Sequence, residues 1–270
     1  MEGKEMSFWE HLDELKKVLF RSAIAVVLSM VVIFCFKSFV FDTIIFSPRS
    51  SDFVIYKWIN QLASLKPWLS SLSIESFQIE LINIEMAAQF LTHVNVSFWL
   101  GFVLSVPFIL YQLWTFVQPA LYPNEKKSIM IAFSFCSILF FMGIVVGYFM
   151  VFPLTIKFLG TYQVSGWVEN QISLKSYISM FTWLILMMGL VFEMPVLVHV
   201  LSRLGIVTKK FLRKYRKHAA VVLMILAAAI TPSGDAFTMF VVAMPLFFLY
   251  EFSILVCLDQ KPEEEAAKPE

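Results

Sequence analysis

The chain has 270 residues, of which 59% are hydrophobic, 16% aromatic and 15% charged, with a formal net charge of +1. Globular proteins are about half apolar and about a quarter charged, so this composition excludes an ordinary soluble domain and points to an integral membrane protein. The small net charge also hides a strong segregation of basic residues along the chain.

The first seventeen residues, MEGKEMSFWEHLDELKK, are polar and lack the apolar core and small-residue site of a cleavable leader, so the first apolar run is expected to be retained. Residues 1–17 read as a cytoplasmic amphipathic helix. Leu12, Leu15 and Leu19 form one stripe, and Glu10, Asp13, Glu14 and Lys17 another. A crossing helix needs about 20 apolar residues, and the runs at 18–41, 94–115, 128–151 and 178–202 supply them. Between the first two, residues 42–86 carry FVIYKWINQL and FQIELINI, which predict an ordered extracytoplasmic cap with a short amphipathic helix and strand-like pieces. Two further runs, 219–230 and 236–258, flank the turn-forming TPSGD at 231–235. The first of these would reach only about 18 Å as a helix. The expectation is an all-α integral membrane protein with six transmembrane segments over 18–258, the fifth and sixth short, and a disordered tail at 259–270.

Loop lysines and arginines orient such a protein. Lys4, Lys16, Lys17 and Arg21 precede the first span, Lys126 and Lys127 separate the second and third, and residues 203–218 hold seven basic residues. The opposite loops hold Lys37, Arg49, Lys57 and Lys66 spread over a long segment, then Lys157 and Lys175. Both termini are therefore expected in the cytoplasm.

Three carboxylates could carry chemistry. Either the acids of the N-terminal helix pair with Lys16, Lys17 and Arg21 at i+3 or i+4, or Glu14 faces a binding partner. Glu125 is the only carboxylate of the short loop QPALYPNEKK, where Pro119 and Pro123 restrict the backbone; alternatively, Asn124 caps the third span with Glu125 in its first turn. Glu193 is the one charge in the apolar run from Ile178 to Leu201, and an acid at membrane depth faces a bundle interior or a water-filled cavity. Two residues on, Pro195 removes a hydrogen bond to the Val191 carbonyl and should bend the helix. Pro107 and Pro153 are further candidate kinks. His199, turned away from the face of Glu193, reads as a packed histidine, and Asp235 as a cap of the last segment. Cys35, Cys136 and Cys257 stand far apart in apolar sequence and read as small hydrophobes.

The sequence contains no HExxH, GxSxG, Walker A or glycine-rich dinucleotide motif and no Cys/His cluster at metal spacing. No catalytic activity, cofactor, metal or nucleic-acid partner is expected. From the residues alone, an ion-coupled small-molecule transporter using Glu193 remains an alternative to a receptor.

Taken in order, HLDELKK, SVPFILYQLWTFVQPALYPNEKK, GYFMVFPLTIKFL, FEMPVLVHVLSRLGIVT, LRKYRKHAAVVLMILAAAITP and AMPLFFLYE resemble the TatC family, the core receptor of the twin-arginine protein translocase. The resemblance implies a cupped, concave bundle in the bacterial cytoplasmic membrane and no enzymatic activity. It implies a cytoplasmic site for twin-arginine signal peptides of folded proteins, with Glu14 and Glu125 contacting the arginines and Lys16 and Lys17 beside them. It places Glu193 on the concave face, with Thr231, Asp235 and Met239 as further partner-facing positions. It also implies single-span TatA and TatB partners, self-association within the translocase and transport driven by the proton motive force. The chain departs from the family at Lys16 and Lys17, where many relatives have arginine, at Met239, which replaces a frequent glutamine, and in its long cap and TPSGD turn.

Overall fold

The computed structural model describes residues 8–65, 73–118, 123–168, 170–203 and 205–257. They are mostly helical and fall into two compact units, Met1–Gly189 and Leu190–Glu270. Among the described residues, five helical stretches are long and apolar enough to cross a membrane: Trp9–Cys35, Ala88–Val117, Phe133–Thr161, Leu174–Arg203 and Ala236–Val256.

In the first unit, α1 (Phe8–Cys35) is one continuous helix of 28 residues, joining the polar N-terminal turns to the first apolar run. It ends before residue 41 because the ladder tightens at Phe36, whose N–H bonds Ile33 O, and gives way to a wide-turned segment, Phe39–Ile45. α3 (Ala88–Val117) runs antiparallel to α1, after α2 (Val54–Leu65). Contacts along the pair fix that direction: His11 stacks on Phe116 at 4.3 Å, Ser105 Oγ lies 3.0 Å from Ser29 Oγ, and Phe34 stacks on His93 at 3.9 Å. Gly101 permits this approach, since a Cβ there would lie 2.6 Å from the Met30 backbone nitrogen. Pro107 sits inside α3 without ending it.

α4 (Pro123–Val146) continues through a wide-turned stretch, Gly147–Val151, into α5 (Phe152–Thr161), so Pro153 stands in the first turn after a widened one. α4 begins at Pro123, so Asn124 is already helical and does not cap it. Proline suits that first position because its missing N–H would have had no partner there. Phe140 packs with Val103 and Val106 of α3 and with Leu186 of α6 (Leu174–Val191).

The 42–86 region forms a short amphipathic helix and strand-like pieces. On α2, Tyr56 packs with Phe53 and Ile74, and Asn60 brackets Ile74 with one donated and one accepted hydrogen bond, at 3.0 and 2.6 Å. β1 (Leu81–Ile82) pairs in parallel with β2 (Ile172–Ser173), Leu81 opposite Ile172. Three tyrosine hydroxyls donate to backbone carbonyls in this region: Tyr56 to Pro153 O at 2.7 Å, Tyr148 to Ile44 O at 2.8 Å and Tyr177 to Ile45 O at 2.7 Å. Tyr148 and Tyr177 thereby satisfy the carbonyls of Ile44 and Ile45 at the end of the wide-turned segment.

In the second unit, α7 (Met194–Arg203), α8 (Lys209–Lys214) and α10 (Ala236–Val256) pack around Leu212, Ile254 and Cys257, and α9 (Arg216–Ile230) packs against α10. Tyr250 donates to Leu212 O at 2.8 Å, Arg216 pairs with Glu251, and His199 Nδ1 lies 3.2 Å from Val256 O, as suits a packed histidine. The α9–α10 turn passes through Gly234 at φ 63°, a left-handed geometry that glycine adopts without strain. α9 has 15 residues, about 22 Å at 1.5 Å per residue and short of a ~30 Å hydrocarbon core. α10 corrects the expectation of a short last segment: its 21 residues reach about 31 Å.

Candidate functional site

The N-terminal turns of α1 and the C-terminal turns of α3 enclose a cavity of about 220 Å³ lined by His11, Glu14, Arg21, Tyr111, Gln112 and Thr115, among others. The antiparallel packing creates it, by bringing Glu14 and Arg21 of α1 beside Tyr111, Gln112 and Thr115 of α3. The His11 ring lies against Phe116 and closes one wall.

Glu14 is half-exposed and its Oε1 accepts a hydrogen bond from Lys17 Nζ at 2.8 Å. The hydrogen bond and charge of Lys17 hold its carboxyl below its ordinary value, so it is an anion at neutral pH. An exposed pair at this spacing contributes little net stability, so a stronger cationic ligand can replace it. Gln112 is 6% exposed, and its Oε1 makes no hydrogen bond within the described residues. A buried amide oxygen without a donor is costly, and Gln112 lines the same cavity as Glu14. Sequence reasoning passed over Gln112 inside an apolar run, although a lone amide near the end of a span was a usable signal.

Glu125 lies in the first turn of α4; its side chain falls outside the described residues. The chain between Gln118 and Pro123 can reach at most about 18 Å, so α4 begins close to the end of α3 that carries Gln112.

Glu193 stands in the two-residue break between α6 and α7. Its N–H bonds Leu190 O, and its own carbonyl accepts from both Val196 N and Leu197 N, at 3.1 and 3.0 Å. Pro195 has no N–H for Val191 O, and the helix is interrupted where its ladder loses that rung. Both carboxylate oxygens of Glu193 are shielded from solvent.

Elsewhere in the second unit, Thr231 is buried at the end of α9 and donates to Ala228 O at 3.1 Å. Asp235 caps α10, accepting from Thr238 N at 2.7 Å and from the Ser233 hydroxyl. Burial pushes the Asp235 carboxyl up, but these hydrogen bonds outweigh it and hold the group below its ordinary value. Met239, half-buried, follows in the first turn of α10.

A family model described as Sec-independent protein translocase protein (TatC) matches residues 10–245. A TatC protein of Blattabacterium sp. subsp. Periplaneta americana is 38% identical over 256 residues, covering 94% of this chain and 96% of its own length. One of Carboxydothermus hydrogenoformans is 36% identical over 265 residues, covering 98% of each. A crystal structure of the twin-arginine translocase receptor TatC superposes with a TM-score of 0.66 at 30% identity, over 92% of this chain and 97% of the other. The chain belongs to the TatC family of Sec-independent protein translocases.

Proposed function

We propose that the protein is the receptor core of a twin-arginine translocase in the bacterial cytoplasmic membrane, and that the Glu14 groove captures the paired arginines of a signal peptide. The observation that carries this reading is an ionised carboxylate held by a weak, exchangeable ion pair, beside a buried acceptor without a donor. Guanidinium is planar and always charged and bonds carboxylates through two parallel N–H groups, so it displaces the Lys17 ammonium at little cost. Glu125, tied to the same end of α3 by a short link, supplies the second carboxylate. Lys16 and Lys17 set the local charge, so that the groove prefers arginine to lysine by geometry and not by charge alone.

In this reading Glu193, Thr231, Asp235 and Met239 meet single-span TatA- and TatB-type partners, and the termini and the seven-base loop at 203–218 lie in the cytoplasm. Family membership favours this receptor over an ion-coupled transporter. The test is a titration of the purified protein with a signal peptide and with its twin-lysine counterpart. The arginine peptide is expected to bind roughly tenfold tighter or more; equal affinities would refute the assignment of the groove.

A further inference from the structure

The end of the α1–α3 pair opposite Glu14 opens into a cavity of about 560 Å³ whose lining includes Lys37, Asp42, Arg49, Phe90 and His93. Lys37 stands two residues beyond the end of α1, and Phe90 and His93 lie in the first two turns of α3. The cavity therefore sits where two apolar spans stop, the depth at which a bilayer presents its phosphates. Neither Lys37 nor Arg49 forms an ion pair with another described residue, and the Arg49 guanidinium lies over the Phe46 ring at 5.6 Å from its centroid. Two cations against the single carboxylate of Asp42 leave the lining with a charge of +1. His93, stacked on Phe34 and edge-on to Phe41, keeps a buried Nε2 that bonds no described residue.

The surroundings are as telling as the charges. Phe90, in the lining, is 64% exposed, and Phe36 and Phe39, one residue before and two after Lys37 in the chain, are 61% and 60% exposed. Exposed aromatics bordering a pair of cations match a ligand that is anionic at one end and apolar at the other. We infer that this cavity holds the headgroup of a hydroxyl-bearing anionic phospholipid. Lys37 and Arg49 donate to the phosphodiester, Asp42 accepts from the headgroup hydroxyls, and the acyl chains lie along Phe36, Phe39 and Phe90. The bound lipid would fasten this end of the helix pair to the bilayer.

Native mass spectrometry of the full chain in detergent tests this with phosphatidylglycerol, a diacylglycerol of the same chains and inorganic phosphate. Phosphatidylglycerol should be retained, and Lys37→Gln combined with Arg49→Gln should weaken it roughly tenfold. Lys37→Arg, which keeps the charge, and Lys57→Gln, a neighbouring charge outside the lining, should retain it. Equal retention by the double variant, equal retention of the diacylglycerol, or an equal loss in Lys57→Gln would overturn the inference. Displacement of the lipid by inorganic phosphate would likewise overturn it, in favour of a site for soluble anions.

Discussion

The two ends of the α1–α3 pair are built on opposite principles. At the Glu14 end Glu14 is half-exposed, Gln112 Oε1 makes no hydrogen bond within the described residues, and the Glu14–Lys17 ion pair links neighbours on a single helix. At the other end Tyr56 and Tyr177, fully buried, and Tyr148 spend their hydroxyls on backbone carbonyls from distant parts of the chain. The tyrosine clamps on Ile44 O and Ile45 O cannot be exchanged without leaving those carbonyls bare, whereas the Glu14–Lys17 pair is a contact that a ligand can take over. A receptor groove requires the second kind of surface and a rigid support requires the first.

The largest expected effect breaks both ends together. In Gly101→Val the new side chain meets the Met30 backbone at 2.6 Å or closer, and overpacking of this kind costs about 1–3 kcal/mol or more. Thermal unfolding in detergent should show a large drop in stability, and the surviving protein should bind signal peptide poorly. Next, Tyr177→Phe removes a buried donor from Ile45 O, at a cost of about 1–3 kcal/mol. Stability should fall by that order while peptide affinity at the Glu14 end stays unchanged, which sharpens the contrast; a matching loss of affinity would mean that the ends are not separable.

Smaller effects belong to the groove itself. Gln112→Leu removes the buried acceptor, worth about 1 kcal/mol, so peptide affinity should fall roughly fivefold with little change in unfolding temperature. Lys17→Ala should act in the other direction, raising affinity at neutral pH by about twofold because Glu14 no longer has a competing partner. Its pH signature follows from sign. The carboxylate form binds guanidinium and Lys17 holds the Glu14 carboxyl below its ordinary value. Binding is thus present at neutral pH and is lost only as acidification passes the lowered value. Removing Lys17 should move that acid edge to higher pH, measurable in peptide titrations across the acidic range.

The spans were legible in the sequence because a bilayer demands long uninterrupted apolar runs, and the break beside Glu193 was legible because Pro195 lacks a donor. The amphipathic character of α2 was legible too, in the spacing of Tyr56, Ile59 and Ala63. What escaped has physical reasons. Two-residue strands such as Leu81–Ile82 and Ile172–Ser173 are too short to show a period, and their parallel pairing is set by the fold around them. The wide-turned segments at Phe39–Ile45 and Gly147–Val151 have the composition of ordinary helix. Asn124 looked like a cap because its side chain suits one, yet Pro123 starts the helix one residue earlier. Glu14 was singled out by motif, whereas Tyr111 and Gln112 joined it only through antiparallel packing, which brings positions about a hundred residues apart into one cavity.

The most direct measurement is the affinity of a fluorescent twin-arginine signal peptide for the purified protein and for Glu14→Ala, Glu125→Ala and the double variant. Each single change should weaken binding roughly tenfold, and the double variant should bind the arginine and lysine peptides alike. Wild-type affinity in the double variant would contradict the account.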